Sequence, residues 1–286
     1  MKKLLFVSVV LIGIYFYFSK EGAVSGSLQI DSINSQNAVL FDEQGDVYYT
    51  KNADEKIYPA SLTKIMTAIL AIEHVDLQQT IKIKEETINN LLAQKASMAG
   101  FSAGDEIKMQ DLLYGTLLAS GADATIALTE QVKGSEEAFV VLMNEKAQQL
   151  GMDSTHFTNA TGLHNKNHYS TVNDLSVLLR YALENTTFKH IFTTKHYVTA
   201  PTTHFSEGIT INSTLFSKLE GETINGGNLL GGKTGYTPEA GLCLASMAEI
   251  NGENYLFITV NAPGHVWSEP LHIKDAVYVY NQLQGE

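Results

Sequence analysis

Strand-like runs stand near both ends of this 286-residue chain, and helical patterns fill the space between them. A sheet made from such a chain must recruit strands from both ends, so the middle becomes a helical layer or lobe against it. Near the start, Ala38-Val39-Leu40-Phe41 and Val47-Tyr48-Tyr49-Thr50 read as strands, with a hairpin at Gln44-Gly45-Asp46. Toward the end, strands are expected over Lys195–Thr199, Asn228–Lys233, Leu242–Ile250 and Asn254–Val260. The last two meet at Asn251-Gly252, a strong signal for a two-residue hairpin turn. Between these groups, Pro59-Ala60-Ser61 opens a helix with Ile65, Met66, Ile69 and Ile72 at helical spacing. Further helical patterns cover Met109–Leu118, Ala122–Lys133, Glu136–Leu150 and Asn173–Leu183, with Gly134 and Gly151 as stops. A last helix runs from Pro270 to Gln282. The expected fold class is α+β, with an antiparallel sheet built from both chain ends.

Charge and cysteine usage narrow the function. The chain carries 31 acidic against 19 basic residues, a net charge of −12, which argues against nucleic-acid binding. Arg180 is the sole arginine, so a bidentate arginine clamp on phosphate has little to draw on. Cys243 is the sole cysteine, which excludes an internal disulfide, a Cys-x-x-Cys redox pair and a cysteine-rich zinc site.

The first twenty residues read separately. Lys2 and Lys3 precede an uncharged, mostly apolar run from Leu4 to Phe18 that ends in Tyr15-Phe16-Tyr17-Phe18. This is the pattern of a signal core or a short membrane anchor, and the aromatic end suits a bilayer interface. A cleavage site within Ala23–Gly26 is the alternative, giving a secreted protein. In either case the remainder is expected outside the cytoplasmic membrane. The domain reading is therefore residues 1–20 as signal or anchor, 21–36 as a Gly/Ser/Asn-rich tether, and 37–286 as one catalytic domain.

Three short motifs carry the chemistry. Ser61-Leu62-Thr63-Lys64 places a serine and a lysine three apart, on one face of a helix. A serine hydroxyl is a weak nucleophile until a nearby base takes its proton, and a lysine of lowered pKa serves as that base. Lys233-Thr234-Gly235-Tyr236-Thr237 continues from the strand expected over Asn228–Lys233, and glycines flanking a Lys-Thr pair on a strand let a ligand backbone lie close to the strand edge. Its lysine and threonine hydroxyls are candidates for binding a carboxylate. A phosphate-loop reading is set aside, because this segment belongs to a strand pattern and does not open a helix. Ser120-Gly121-Ala122-Asp123 lies at the junction of two helical patterns, between the other motifs in the chain. Taken alone, it is an ordinary helix start.

In this order the motifs resemble those of penicillin-binding proteins and serine β-lactamases. The surrounding residues narrow the resemblance to the low-molecular-weight serine D-alanyl-D-alanine carboxypeptidases, of the peptidase S11 type. Those residues are Tyr58–Ala68, Met143–Ala147 with Leu150-Gly151-Met152, Asn159-Ala160-Thr161-Gly162-Leu163, His168–Thr171, and Lys233–Thr237 with Ala240-Gly241. The resemblance implies a β-lactamase/transpeptidase-like fold and no cofactor or metal. It implies a peptidoglycan stem peptide ending in D-Ala-D-Ala as substrate, and β-lactams as inhibitors. It implies that Ser61 attacks, that Lys64 accepts the proton, and that Ser120 relays a proton to the leaving D-alanine. The backbone N–H groups of Ser61 and Tyr236 would form an oxyanion hole, with Lys233, Thr234, Gly235 and Thr237 on the substrate carboxylate side. No counterpart of the family's all-β C-terminal domain or C-terminal membrane helix is read, which makes the N-terminal run the expected anchor.

One residue departs from the family pattern. The second motif of the family carries asparagine where this chain has Ala122, and a methyl group neither donates to a substrate carbonyl nor accepts from Lys64. Several alternatives remain open on sequence. They are a non-catalytic penicillin or cell-wall peptide binder, a transpeptidase or endopeptidase, a β-lactamase and a zinc peptidase. For the last, the pair His164 and His168 lacks the intervening acid of a His-Glu-x-x-His site.

Overall fold

A computed structural model describes residues 28–219 and 221–283. The chain begins with an antiparallel hairpin, β1 (Asn37–Asp42) and β2 (Val47–Lys51), turning at Gly45. A 3-10 turn over Ala60–Thr63 leads directly into α1 (Lys64–His74). The middle of the chain supplies β3 (Thr80–Lys82), α2 (Glu85–Ala93), β4 (Glu106–Lys108), α3 (Met109–Leu117), α4 (Ala122–Lys133), α5 (Glu136–Gln149), α6 (Val172–Glu184) and α7 (Thr186–Phe192). A small hairpin, β5 (His196–Val198) with β6 (Thr210–Asn212), precedes three long strands, β7 (Gly227–Thr237), β8 (Gly241–Ile250) and β9 (Glu253–Ala262). Helix α8 (Leu271–Gln282) closes the chain.

The five-stranded sheet has the order β2-β1-β9-β8-β7, with antiparallel neighbours throughout. Strands from both chain ends meet where β1 pairs with β9, as the sequence pattern requires. The alternation of side chains explains why both faces are covered. In β8, Cys243, Ala245 and Met247 face the helical lobe, while Leu244, Ala248 and Ile250 face α8. In β1, Val39 and Phe41 take the first side and Ala38 and Leu40 the second. The lobe packs on one face of the sheet and α8 on the other, giving three layers. The β8–β9 turn at Asn251-Gly252 has both residues at positive φ (53° and 88°), as a type I′ hairpin demands.

Residues 28–36, the second half of the expected tether, are fastened to the body. Leu28 N–H donates to Tyr48 O, Asn34 and Ser35 both donate to the buried Asp275 carboxylate of α8, and Ile33 is buried. The expected anchor, Leu4–Phe18, and the alternative cleavage region, Ala23–Gly26, lie outside the described residues. Among the described residues no helix is long and apolar enough to cross a membrane.

Candidate active site

The site lies at the seam between the sheet and the helical lobe. Ser61 sits in the 3-10 turn that precedes α1, so its side chain and that of Lys64 leave the backbone within one turn of each other. Lys64 Nζ is 3.1 Å from Ser61 Oγ and donates to Thr161 O at 2.6 Å. Lys64 is only 2% exposed. Burial disfavours its charged form and lowers its pKa from an ordinary 10.5 to about 7, against the opposing pull of the Asp123 and Glu136 carboxylates. At neutral pH an ordinary lysine is neutral in roughly 1 molecule in 3,000, whereas Lys64 is neutral in about half.

Strand β7 forms the opposite wall. A Cβ placed on Gly235 would come within 3.1 Å of Ser61 N and 3.3 Å of Ala60 Cβ, so glycine is what lets the strand close on the serine turn. Lys233 is fully buried and donates to Thr234 O at 2.6 Å. Burial pushes its pKa well down, and the positive charge of Lys64 adds to the effect. The Thr234 hydroxyl pairs with that of Thr214 at 2.6 Å. Thr237 Oγ1 accepts Ala240 N–H at 3.0 Å, so it also holds the β7–β8 turn while its own proton remains free to donate. Tyr236 is half-buried on the same strand. Gly227, Gly232, Lys233 and Thr234 do have phosphate-loop spacing, but all four lie inside this extended strand, where no helix N-terminus follows.

Ser120 stands at the corner between α3 and α4 with φ +61°, and its carbonyl accepts Ser97 Oγ at 2.6 Å. Its hydroxyl makes no hydrogen bond to Ser61 or Lys64, so of the three motifs it is the one least directly joined to the others. Ala122 is buried, with its N–H donating to Ser97 O at 2.7 Å. Asp123 points away, as expected on a helix, and accepts the N–H groups of Ala99, Gly100 and Phe101. It thereby fastens the loop that flanks Ser120.

The acceptor that holds Lys64 is a backbone carbonyl, which sequence motifs do not reveal. Thr161 O belongs to the loop Asn159–Leu163, and that loop is heavily pinned. Asn159 Oδ1 accepts from Thr161 N, Thr161 Oγ1 and Gly162 N, and Asn159 Nδ2 donates to Leu163 O. Gly162, at φ +82°, lies so close to Ala60 O that a side chain there would collide with it. The sequence pattern Asn159-Ala160-Thr161-Gly162-Leu163 marked the family; the structure supplies its physical reason.

The two histidines considered for a metal serve separate neighbourhoods. His164 packs edge-on to Tyr58 and lies 3.7 Å from Glu239. His168 is buried, and its Nδ1 accepts Thr158 N–H. Its proton therefore sits on Nε2 and donates to Thr63 Oγ1 at 2.8 Å. Burial, followed by the charges of His156, His164 and Lys64, lowers the His168 pKa to about 4, so the ring stays neutral beneath the turn that carries Ser61.

A serine paired with a buried lysine, facing a Lys-Thr-Gly edge strand between an antiparallel sheet and a helical lobe, defines a class. It is the β-lactamase/transpeptidase-like fold of the Ser-x-x-Lys superfamily. Within that class, the Peptidase S11 family, described as D-alanyl-D-alanine carboxypeptidase, matches residues 24–264, and the chain belongs to this family. The chain is 32% identical over 259 residues to the D-alanyl-D-alanine carboxypeptidase DacF of Bacillus subtilis (strain 168), covering 87% of this chain and 63% of that protein. It is 34% identical over 220 residues to a D-alanyl-D-alanine carboxypeptidase of Streptomyces sp. (strain K15), covering 74% and 75% respectively. It thus spans less than two thirds of the Bacillus relative and three quarters of the Streptomyces one. The crystal structure of the Streptomyces K15 DD-transpeptidase superposes with a TM-score of 0.78 at 30% identity, covering 89% of this chain and 98% of that one.

Proposed function

We propose that this protein is a serine D,D-carboxypeptidase that removes the terminal D-alanine from peptidoglycan stem peptides and is acylated by penicillin. The observation that carries the reading is the Lys64 amine, 3.1 Å from Ser61 Oγ and brought by burial to a pKa of about 7. Ser61 Oγ attacks the carbonyl carbon between the two D-alanines, and its proton passes to Lys64 Nζ. The developing oxyanion is stabilised by the N–H groups of Ser61 and Tyr236, each such donor typically contributing about 3–4 kcal/mol. The C–N bond then breaks, with Ser120 relaying a proton to the leaving nitrogen. Water hydrolyses the ester, releasing the shortened peptide and regenerating Ser61.

The two lysines have complementary requirements. Lys64 works as a base only when neutral, and Lys233 binds a carboxylate best when charged. In the free protein burial opposes the charge of both, and the charge of Lys64 further disfavours that of Lys233. A substrate carboxylate arriving at Lys233, Thr234 and Thr237 compensates the Lys233 ammonium and so favours the division of labour that the reaction needs.

The apolar run Leu4–Phe18 supports action at the outer face of the cytoplasmic membrane, tethered by that run or secreted if it is cleaved. A second reading, transpeptidation, is favoured by the 98% coverage of the Streptomyces K15 DD-transpeptidase. In it, an amine replaces water as the acceptor of the same acyl-enzyme. Incubation with a peptide ending in D-Ala-D-Ala, with and without a glycine or D-amino acid acceptor, separates the two. Free D-alanine with the shortened peptide supports the carboxypeptidase. A dominant acceptor-linked product replaces it with a transpeptidase, and no D-alanine release refutes both.

A further inference from the structure

We propose that Glu136 is a positioning residue for Lys64: through the Ala160 N–H it fixes the carbonyl that holds the lysine amine, and it supplies negative charge beside that amine. The inference rests on the reading of Lys64 as the base for Ser61. Glu136 is the first residue of α5, but that helix is already capped, because Ser135 accepts Ala138 N–H. The Glu136 side chain is turned to another purpose. Its Oε1 accepts Ala160 N–H at 2.8 Å, while Ala160 O accepts Thr67 Oγ1 from α1 at 2.8 Å. Residue 160 is therefore held on both sides, by α5 and by α1. The next carbonyl, Thr161 O, is left aimed at Lys64 Nζ at 2.6 Å. With Ala122 offering no side-chain acceptor, this carbonyl is the fixed partner of the amine.

The charge matters as well as the geometry. The titratable groups that interact electrostatically with Lys64 are Asp123 on α4, Glu136 on α5, Lys233 on β7 and His168 in the loop before α6. His168 is neutral. The Asp123 carboxylate holds three backbone N–H groups of the 99–101 loop, so its removal would release that loop. Glu136 is the carboxylate whose charge can be removed while the hydrogen bond is kept. Burial pushes its own pKa up, with the Ala160 N–H and the Lys64 charge pulling the other way.

Glu136→Gln keeps an acceptor oxygen for Ala160 N–H and removes the charge; Glu136→Ala removes both. The measurement is the second-order rate of penicillin acylation at Ser61 for wild type and both variants, across about pH 5 to 9, on protein shown to be folded by thermal melting. Lys64 must be neutral to act, so the rate falls as pH drops through its pKa. Without the Glu136 charge the ammonium is less favoured, and the acid limb of Glu136→Gln moves to lower pH by about 0.3–1 unit. Glu136→Ala shows the same shift and a plateau about tenfold below wild type, with Glu136→Gln restoring most of the plateau. Profiles of both variants that superimpose on wild type overturn the proposal. So does a Glu136→Gln profile that is unshifted but as low as that of Glu136→Ala, since that pattern marks a purely structural residue. If Glu136→Ala does not fold, the shift of Glu136→Gln alone decides the outcome. A wild-type protein that penicillin leaves unmodified refutes the base assignment itself, and is told apart by failing before any variant is compared.

Discussion

Replacing Lys64 by methionine is expected to abolish acylation of Ser61 and to stabilise the fold at neutral pH. Methionine has nearly the reach of lysine and no charge to desolvate. In the unfolded chain the amine keeps a pKa near 10.5, and in the folded protein it is about 7. At pH 7 the unfolded state therefore holds about half a proton more, and burying the amine opposes folding by roughly 4 kcal/mol. Methionine leaves Thr161 O without its donor, a loss of about 1–3 kcal/mol. Ser61 is partly exposed and finds water instead. The net expectation is a gain of about 1–3 kcal/mol at pH 7, or roughly 2–10 °C in Tm for a chain of this size. The sign depends on pH in a defined way. Because the folded pKa lies below the unfolded one, wild-type stability climbs with pH from about 7 to 10.5, while Lys64→Met has no such group. Its advantage is greatest at and below pH 7, shrinks above it, and reverses between about pH 8 and 10, where the falling cost of the buried amine drops below the loss at the orphaned carbonyl. Paired thermal melts from pH 6 to pH 10 provide the assay. A variant less stable than wild type at every pH, or a gap that does not change with pH, refutes the argument that Lys64 is held neutral by burial.

Gly235→Ala would put a methyl group 3.1 Å from Ser61 N and 3.3 Å from Ala60 Cβ. The serine turn must then shift by a few tenths of an ångström, and acylation is expected to fall about tenfold with a stability loss of about 1–2 kcal/mol, read by stopped-flow acylation and denaturant melts; an unchanged acylation rate contradicts the close approach. Cys243 is buried, and burial pushes its thiol up to about 12, so it should resist maleimide in the native protein and react on unfolding; rapid native labelling contradicts this. Ala122→Asn restores the family amide and is expected to raise penicillin acylation about 2- to 12-fold; a slower variant shows a site rebuilt around alanine. A serine–lysine mechanism needs no metal, so D-alanine release should survive EDTA; loss of activity with rescue by Zn²⁺ overturns it.

Long amphipathic elements with clear punctuation were legible from the residues alone. Helix α4 matches its expected span Ala122–Lys133, because Gly134 ends it in the left-handed region at φ +81°. The β1–β2 and β8–β9 hairpins were equally plain, since their turn residues announce themselves. Strand β7 was expected only over Asn228–Lys233 and instead runs to Thr237. Its glycines weaken the strand signal where backbone must approach the serine turn. Helices α2 and α7, and the short strands β3, β4 and β6, were not expected: each is three to nine residues long, too short for a pattern to stand out. The helix expected to open at Pro59-Ala60-Ser61 begins with a 3-10 turn.

The site divides along the same line. Ser61 and Lys64 were readable because spacing three on one helical turn forces them together. Lys233, Thr234, Gly235, Tyr236 and Thr237 were readable as one contiguous motif, and β7 carries them all. Thr161 was quoted only as part of a family signature. Its contribution is a carbonyl that every residue possesses, and the loop hydrogen bonds of Asn159 and Glu136 select it. The role proposed for Ser120 rests on the resemblance alone, and its position at the α3–α4 corner rests on packing that no local pattern encodes.

The central claim is that Ser61 is a nucleophile made competent by Lys64. Intact-protein mass after incubation with penicillin, followed by peptide mapping, tests it most directly on wild type beside Ser61→Ala. One covalent adduct per wild-type chain, on the peptide that contains Ser61, and none on Ser61→Ala is the predicted result. An unmodified wild type, or an adduct that persists on Ser61→Ala, contradicts the account.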